Sequence, residues 1–220
     1  MATLPPDPTL DELREALAPV IPTHAAFDGW TSAALDGAAA ELAVNPAIAA
    51  LAFPGGAVDM IDAWFAHIDH AMAAAWAPEA IAALKIRARI QALVETRIDL
   101  LLPHREALRR AHAVLALPAN VPRAAKLGWR AADRIWRLAG DTATDFNHYS
   151  KRTLLLGVYA TTLLVLVDDE SEGQAETRAF LARRIENVMR IEKAKGRFGA
   201  KAERRLSLSR FIGRLRYPAM

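Results

Sequence analysis

Residues 31–52 read TSAALDGAAAELAVNPAIAALA, and this stretch decides the fold. Thr31 can cap a helix that runs through Leu42. Asn45 followed by Pro46 is typical of a helix N-terminus, because Asn caps well and Pro fits the first helical position. Two short helices joined by a tight turn predict a helix-turn-helix.

Capping residues and prolines of the same kind predict helices throughout the chain. A capping box at Thr9–Glu12 opens a short helix to about Ala18. Longer helices with apolar stripes at helical spacing are predicted over 57–76, 78–103, 104–117, 120–138, 144–167 and from a second capping box at 171–174 onward. We therefore expect an all-α bundle of about nine helices plus a C-terminal amphipathic helix, an order that resembles TetR-type regulators. The predicted units are an N-terminal subdomain with a degenerate helix-turn-helix (1–53), the main helical domain (54–195) and a basic amphipathic tail (196–220). Gly196 and Gly199 loosen the junction to the tail.

Amino-acid composition excludes several kinds of site and segment. The chain has 220 residues and no cysteine, which excludes disulfides, thiolate metal sites and cysteine nucleophiles. Its most apolar run, residues 154–167, has 14 residues. A bilayer span needs about 20, so we expect a buried core helix there. The first 13 residues lack Lys and Arg, so we expect neither a signal peptide nor a mitochondrial presequence.

Charge is distributed unevenly along the chain. Residues 1–84 hold one basic residue, Arg14, and 11 acidic ones, whereas residues 85–220 hold 27 basic and 14 acidic ones. DNA-binding surfaces need Lys and Arg on phosphates, yet residues 15–84 contain neither. The recognition helix offers only Asn45 as a polar contact, so we expect no nucleic-acid partner.

The C-terminal segment predicts a membrane-surface helix. Residues 198–217 read FGAKAERRLSLSRFIGRLRY. Spacing places an apolar stripe on one face and arginines on the other, a pattern typical of helices that lie among lipid headgroups. The membrane-binding candidates are Leu208, Arg210, Phe211, Ile212, Arg214 and Leu215. Docking on the acidic N-terminal half and a disordered tail are the alternatives.

Catalytic motifs are missing from the sequence. It has no Glu-x-x-His pair for a di-iron site, no phosphate-binding loop and no nucleophile elbow. His67 and His70, near Asp62 and Asp69, offer a metal site, and this keeps open a helical metalloenzyme. In the competing interpretation, these side chains are simply the solvent-exposed edge of an amphipathic helix. We expect no metal, no cofactor and no catalysis.

Apolar and aromatic helix surface is abundant instead. A cavity between the helices of a bundle is a common ligand site. Ordinary core packing is the alternative for most of these side chains. The candidates for a lipid pocket are Trp64, Phe65, Ile68, Met72, Leu93, Trp129, Leu155, Val158, Tyr159 and Leu163.

Residues 136–152 read WRLAGDTATDFNHYSKR, and they carry a resemblance to a known family. Gly140-Asp141, residues 144–147, Tyr149 and Lys151-Arg152 resemble the signature of the Coq-nine family, the accessory proteins of ubiquinone biosynthesis. Supporting similarity lies in VETR at 94–97, Leu102-Pro103, Leu117-Pro118 and NVP at 120–122. The resemblance covers roughly residues 8–195.

The resemblance implies a TetR-like fold without DNA binding, usually a homodimer, and a hydrophobic cavity for isoprenoid quinone intermediates or other lipids. It also implies a partner, the di-iron hydroxylase that acts on demethoxyubiquinone. Family members carry Trp at the position of His148 and Met at that of Ile135. The implied location is the bacterial cytoplasm, peripheral at the inner membrane. The partner-binding candidates are Asp133, Ile135, Asp145, His148, Tyr149 and Arg152. A ligand-sensing transcription regulator of the TetR type is the alternative function.

Overall fold

The computed structural model describes residues 5, 7–142 and 146–203, with the backbone alone for 146, 147 and 191–203. All regular structure in these residues is helical, which confirms the predicted all-α class. The helices are α1 (Leu10–Leu17), α2 (Ile21–Asp28), α3 (Ser32–Glu41), α4 (Pro46–Ala52), α5 (Ala57–Ala74), α6 (Pro78–Ala83), α7 (Ile86–Leu101), α8 (Arg105–Leu115), α9 (Val121–Leu138), α10 (Phe146–Asp168) and α11 (Ala175–Glu203).

The N-terminal helices follow the predicted caps. Thr9 and Glu12 form the capping box that opens α1, and the Asn45 side chain accepts a hydrogen bond from Ala47 N at 2.9 Å to open α4. Helices α3 and α4 bend by 118°, which is the angle of a helix-turn-helix. Helix α2 was not predicted. Pro22 suggested a break there, but Pro is compatible with the first turn of a helix, where it lies.

The predicted helix over 78–103 is two helices. Leu84 has extended backbone angles, φ −80° and ψ 152°, which end α6. The Arg89 guanidinium then donates hydrogen bonds to the carbonyls of Leu84 at 2.8 Å and Ala82 at 2.6 Å. Carbonyls at a helix end need such partners. The break and the addition of α2 raise the number of helices in the described residues above the nine expected.

One hydrophobic core connects the N-terminal helices to the bundle. It extends from Leu13 in α1 to Ile185 in α11. Trp30 packs against Trp64 with ring centroids 5.4 Å apart, and its Nε1 donates to Ala107 O at 3.0 Å. The core is therefore continuous across the predicted boundary at residue 53, and that boundary stays a prediction.

Helix α10 is the apolar helix that residues 154–167 predicted. Residues 148–168 are long and apolar enough to cross a membrane by length and composition, as a core helix can also be, and 44% of the apolar window is buried inside the protein. Its inner face packs between α9 and α11. Its outer face exposes Thr153, Gly157, Ala160, Thr161 and Leu164.

The start of α11 differs from the predicted capping box. Residues 172–174 form a 3₁₀ turn, and α11 begins at Ala175. Asp169 holds this start, because its carboxylate accepts hydrogen bonds from the backbone N–H groups of Ser171 and Thr177, each at 2.8 Å, and from both hydroxyls. Helix α11 continues through Gly196 and Gly199, and the expected loosening of the junction at 196 stays a prediction.

Ion pairs define the direction of α11. Arg178 pairs with Asp99 near the end of α7, and Glu186 pairs with Arg87 near its start. Helix α11 therefore runs antiparallel to α7. From residue 186 to residue 203 it continues for about 25 Å at the helical rise of about 1.5 Å per residue.

Candidate functional site

An apolar cleft opens between four helices of the bundle. It encloses about 30 Å³, and about 350 Å³ when its open mouth is included. The enclosed part has room for little more than a water molecule, so a larger ligand needs the helices to separate. Helices α7, α9, α10 and α11 line it through Ile86, Arg87, Ile90, Trp136, Leu155, Val158, Ile185, Val188 and Met189.

The ten residues predicted for a lipid pocket lie in different places. Leu155 and Val158 line the cleft. Trp129 is half-buried on α9, and Tyr159 and Leu163 are buried along α10. The other five are buried in the core of α5 and α7, and as lipid contacts they stay a prediction: Trp64, Phe65, Ile68, Met72 and Leu93.

Sequence reasoning missed most of the cleft wall. Ile185, Val188 and Met189 form an apolar stripe on α11 that was visible in the sequence, but nothing in the sequence showed which helix it faces. Trp136 lay inside the quoted signature and was not assigned to a pocket. Ile86 and Ile90 follow the unpredicted break between α6 and α7, which starts a new helix beside α11.

A buried polar cluster joins α5, α7 and α10. Arg97 is fully buried and pairs with Asp69, while its Nε donates to the Tyr159 hydroxyl at 3.0 Å. The guanidinium also stacks 5.0 Å from the centroid of the Tyr159 ring. Burial alone would lower the pKa of Arg97, but Tyr159 and Asp69 outweigh it and raise that pKa. Arg97 is therefore a permanent cation inside the core.

A second set of ion pairs fixes the corner between α9 and α10. Arg152 is 1% exposed. It donates to Asp133 at 2.6 Å, to Asp141 at 3.0 Å and to the His148 carbonyl at 3.1 Å. Lys151 adds a bond to Asp141 at 2.9 Å. Asp141, Lys151 and Arg152 of the quoted signature, together with Asp133 of α9, therefore hold the start of α10 against α9.

Gly140 allows the chain to turn at this corner. Its φ of +89° is the left-handed region that glycine adopts without strain. A Cβ there would also lie 3.2 Å from Arg89 Nη1, which donates to Ala139 O at 2.8 Å. The end of α9 is thus clamped to α7.

An aromatic cluster stands on the outer side of the corner. Trp129, His148 and Tyr149 contact one another, with ring centroids 5.1 to 6.4 Å apart. Tyr149 is 60% exposed, and the other two rings are half-buried. Exposed aromatic side chains held by neighbours are the usual anchors of protein interfaces.

The partner-binding candidates divide into two groups. Tyr149 and His148 are on the surface, with Trp129 as a third member that was assigned to the lipid pocket. Ile135 and Arg152 are buried, and Asp133 is half-buried and paired with Arg152 and Arg137, so these three support the surface from beneath. Asp145 lies outside the described residues.

The candidate metal site does not assemble. Asp62 pairs with Arg130 and Asp69 pairs with Arg97 and Arg130, so both carboxylates are engaged by arginines. Burial and the neighbouring His70 lower the pKa of His67. Within the described part of the chain, no group of three or more His, Asp or Glu side chains could hold a metal ion.

The helix-turn-helix presents an apolar surface. Helix α4 consists of Pro, Ala, Ile and Leu alone, and Ile48 and Leu51 are 46% and 64% exposed. The side-chain oxygen of Asn45 is occupied by the cap of α4. The membrane-binding candidates at 208–215 lie outside the described residues.

One segment of the chain is similar to a known protein family. The COQ9 family model matches residues 121–192. The ubiquinone biosynthesis protein COQ9, mitochondrial, of Rattus norvegicus is 42% identical over 98 residues, which is 44% of this chain and 31% of that protein. The Homo sapiens protein of the same name is 40% identical over the same shares. The alignments thus span under a third of these relatives' length.

A solved structure matches over a longer stretch. The TetR transcriptional regulator from Nitrosomonas europaea ATCC 19718 has a TM-score of 0.62 and 26% sequence identity, covering 79% of this chain and 95% of that one. The predicted TetR-like fold is therefore confirmed.

Proposed function

We propose that this chain belongs to the COQ9 family of ubiquinone biosynthesis proteins, whose model matches residues 121–192. We further propose that it is a lipid-binding accessory protein that presents polyprenyl-quinone intermediates to a partner hydroxylase. One observation carries the proposal. The matched segment comprises α9, α10 and the first part of α11, and these helices supply most of the cleft, the corner and the aromatic cluster.

The cleft suits an apolar chain. Its wall is aliphatic and aromatic except for Arg87 at one end, which matches the chemistry of a polyprenyl tail. Helix α11 is joined to α7 by two ion pairs at exposed positions, Arg87–Glu186 at 4.0 Å and Arg178–Asp99 at 2.5 Å. Exposed pairs contribute little stability, so these two ion pairs oppose a separation of α11 from α7 only weakly.

The aromatic cluster suits a protein partner. Tyr149 projects from a corner that Arg152 holds rigid, so binding orders few additional side chains. The proposed partner is a di-iron demethoxyubiquinone hydroxylase, which supplies the redox chemistry while this chain acts as a carrier. Tyr149 precedes the cleft residue Leu155 on α10 by about 9 Å along the helix, so a partner bound at the cluster lies close to the ligand.

The C-terminal segment suits a membrane surface. Helix α11 extends past Arg87, away from the end of the bundle where Asp59 pairs with Arg123 next to α4. The sequence that follows α11, residues 204–220, carries the arginine-rich amphipathic pattern typical of a membrane-surface helix. We therefore propose a peripheral location at the inner membrane of a bacterial cell.

The outer face of α10 suits a second copy of the chain. Gly157 has no atom within 4 Å of an added Cβ, and the Thr161 hydroxyl is bonded back to the Gly157 carbonyl at 2.7 Å. A face of small residues whose hydroxyls are bonded back to their own helix permits close approach of two helices. We propose a homodimer that uses this face.

Two measurements test the function. Mass spectrometry of lipid extracted from the purified protein should identify an isoprenoid quinone or its precursor, and finding no lipid would count against the proposal. Binding to the purified hydroxylase should weaken about 30-fold in Tyr149→Ala, the loss of about 2 kcal/mol typical of an interface anchor. Phe27→Ala is the matched control, because Phe27 is an aromatic residue 82% exposed on the distant α2.

The likeness to a TetR regulator favours a second candidate, a ligand-sensing DNA-binding protein. The apolar α4 argues against it, since a recognition helix needs side chains that reach phosphates and bases. A gel-shift assay with genomic DNA fragments distinguishes the two, and salt-sensitive binding would support the regulator.

A further inference from the structure

We propose that Arg97 and Tyr159 form a head-group site at the inner end of the cleft, which binds an acceptor oxygen of the ligand's ring, such as a quinone carbonyl. This inference rests on the proposed lipid-binding function and specifies where the polar end of the ligand lies.

The proposal is based on a buried hydrogen-bond donor of Arg97 that has no partner among the described residues. Arg97 Nη1 bonds to Asp69 and Nε to Tyr159, whereas Nη2 is buried and has no hydrogen-bond partner among the described residues. Buried donors in native proteins are almost always satisfied, because an unpaired one costs about 1–3 kcal/mol. The guanidinium therefore has an N–H group available for a bound acceptor.

Tyr159 offers a second donor at the same place. Its oxygen accepts the bond from Arg97 Nε, so its own O–H hydrogen remains to be donated. Burial raises the pKa of Tyr159 although Arg97 opposes this, and the side chain is a neutral phenol at physiological pH. Two donors near one point select an oxygen acceptor.

The cluster and the cleft share two helices. On α7, Arg97 follows the cleft residue Ile90 by two turns, about 10 Å along the helix. On α10, Tyr159 follows Leu155 by one turn and is adjacent to Val158, and both neighbours line the cleft. A chain held in the cleft with its ring inward thus points along α7 and α10 toward Arg97.

The charge around Arg97 favours a neutral acceptor. Asp69 pairs directly with Arg97 and also accepts from Arg130 at 3.2 Å, while Arg130 pairs in addition with Asp62. The positive charge of Arg97 is therefore already matched by a carboxylate, and an anionic head group would add a negative charge beside Asp69. A carbonyl oxygen needs only the two donors.

The experiment compares two probes of equal chain length, decyl-benzoquinone and decylbenzene, by equilibrium dialysis followed by chromatographic quantification. Wild type should prefer the quinone about tenfold, the worth of a hydrogen bond to a charged donor. Tyr159→Phe should reduce this preference severalfold, and the charge-balanced double variant Arg97→Met with Asp69→Asn should abolish it while decylbenzene still binds. Circular dichroism checks that each variant is folded; if the double variant unfolds, Tyr159→Phe decides.

Thr162→Val is the matched control. Thr162 is buried on the same helix, and its hydroxyl bonds to the Val158 carbonyl at 2.7 Å. The preference of this variant for the quinone should equal that of wild type. Equal binding of both probes to wild type would overturn the head-group site, leaving interior water as the partner of Nη2. Failure of both probes to bind would instead contradict the proposed lipid-binding function.

Discussion

Replacing Arg152 by Met tests whether the corner between α9 and α10 depends on a buried charge. Met keeps most of the length and apolar bulk of the side chain and removes the guanidinium. The variant loses the bonds to Asp133, Asp141 and the His148 carbonyl. We expect a lower free energy of unfolding and weaker binding to the partner, because Tyr149 is held by this corner.

The expected loss in the free energy of unfolding depends on the ion pairs that Asp133 and Asp141 keep in the variant. Removing one partner of a buried ion pair costs about 3–5 kcal/mol. Asp133 keeps Arg137 at 2.8 Å and Asp141 keeps Lys151 at 2.9 Å, so the lower end applies. A loss of about 3 kcal/mol corresponds to a fall in Tm of roughly 6–12 °C for a chain of this size.

Low pH should reduce the difference in the free energy of unfolding between wild type and Arg152→Met. Burial acts to raise the pKa of Asp133 and of Asp141, but hydrogen bonds from Arg152 and from Arg137 or Lys151 outweigh it and lower both. A lowered pKa in the folded state stabilises the protein above the unfolded pKa, about 3.9, and this contribution is lost as the pH falls below it. The difference should be full at pH 7 and shrink below about pH 4.

Urea unfolding followed by tryptophan fluorescence measures the free energy at both pH values. Arg137→Met is the matched control, because Arg137 binds the same Asp133 carboxylate from a position where its side chain is 67% exposed. Exposed pairs contribute about 0.5 kcal/mol. If Arg152→Met unfolds at the same urea concentration as Arg137→Met, the buried network does not stabilise the corner.

The start of α11, the outer face of α10 and the C-terminal segment offer further tests. Asp169→Asn should lower the free energy of unfolding by about 2 kcal/mol at pH 7 in urea titrations, since the buried carboxylate accepts four hydrogen bonds at the start of α11. Gly157→Leu should shift the protein toward monomer in light scattering, and an unchanged mass would exclude the α10 face as the dimer interface. Deleting residues 204–220 should abolish sedimentation with anionic vesicles, and unchanged sedimentation would refute the membrane role of this segment. Spin labels on cysteines at 87 and 186, which no native cysteine complicates, should report a longer distance in pulsed EPR once decyl-benzoquinone binds.

Local signals in the sequence predicted most of the helices. The capping box at Thr9 and the Asn45-Pro46 pair mark helix starts through hydrogen bonds within a few residues, so they can be identified without the fold. The break at Leu84 depends on Arg89, and the start of α11 depends on Asp169. Arg89 acts five and seven residues from the carbonyls it binds, and Asp169 reaches as far as Thr177, eight residues away. Neither spacing is a standard capping pattern, and for this reason their effect was missed.

The candidate site was predicted less well, for a related reason. The signature at 136–152 located the corner, but burial decides which of its residues face outward. Arg152 and Tyr149 are three positions apart, yet one is 1% and the other 60% exposed. Trp129 belongs to the surface cluster because α9 and α10 pack side by side, a relation that neither helix shows alone.

The acidic bias of residues 1–84 predicted that DNA would be repelled, and the structure changes the physical basis of that argument. Asp59, Asp62 and Asp69 lie on α5 and pair with arginines from the second half of the chain, so they add little to the field at the surface. What distinguishes α4 from a recognition helix is its composition, since its exposed residues can neither neutralise phosphates nor bond to base edges. Three of the 11 acidic residues in 1–84 therefore join α5 to α7 and α9 instead of facing a DNA backbone.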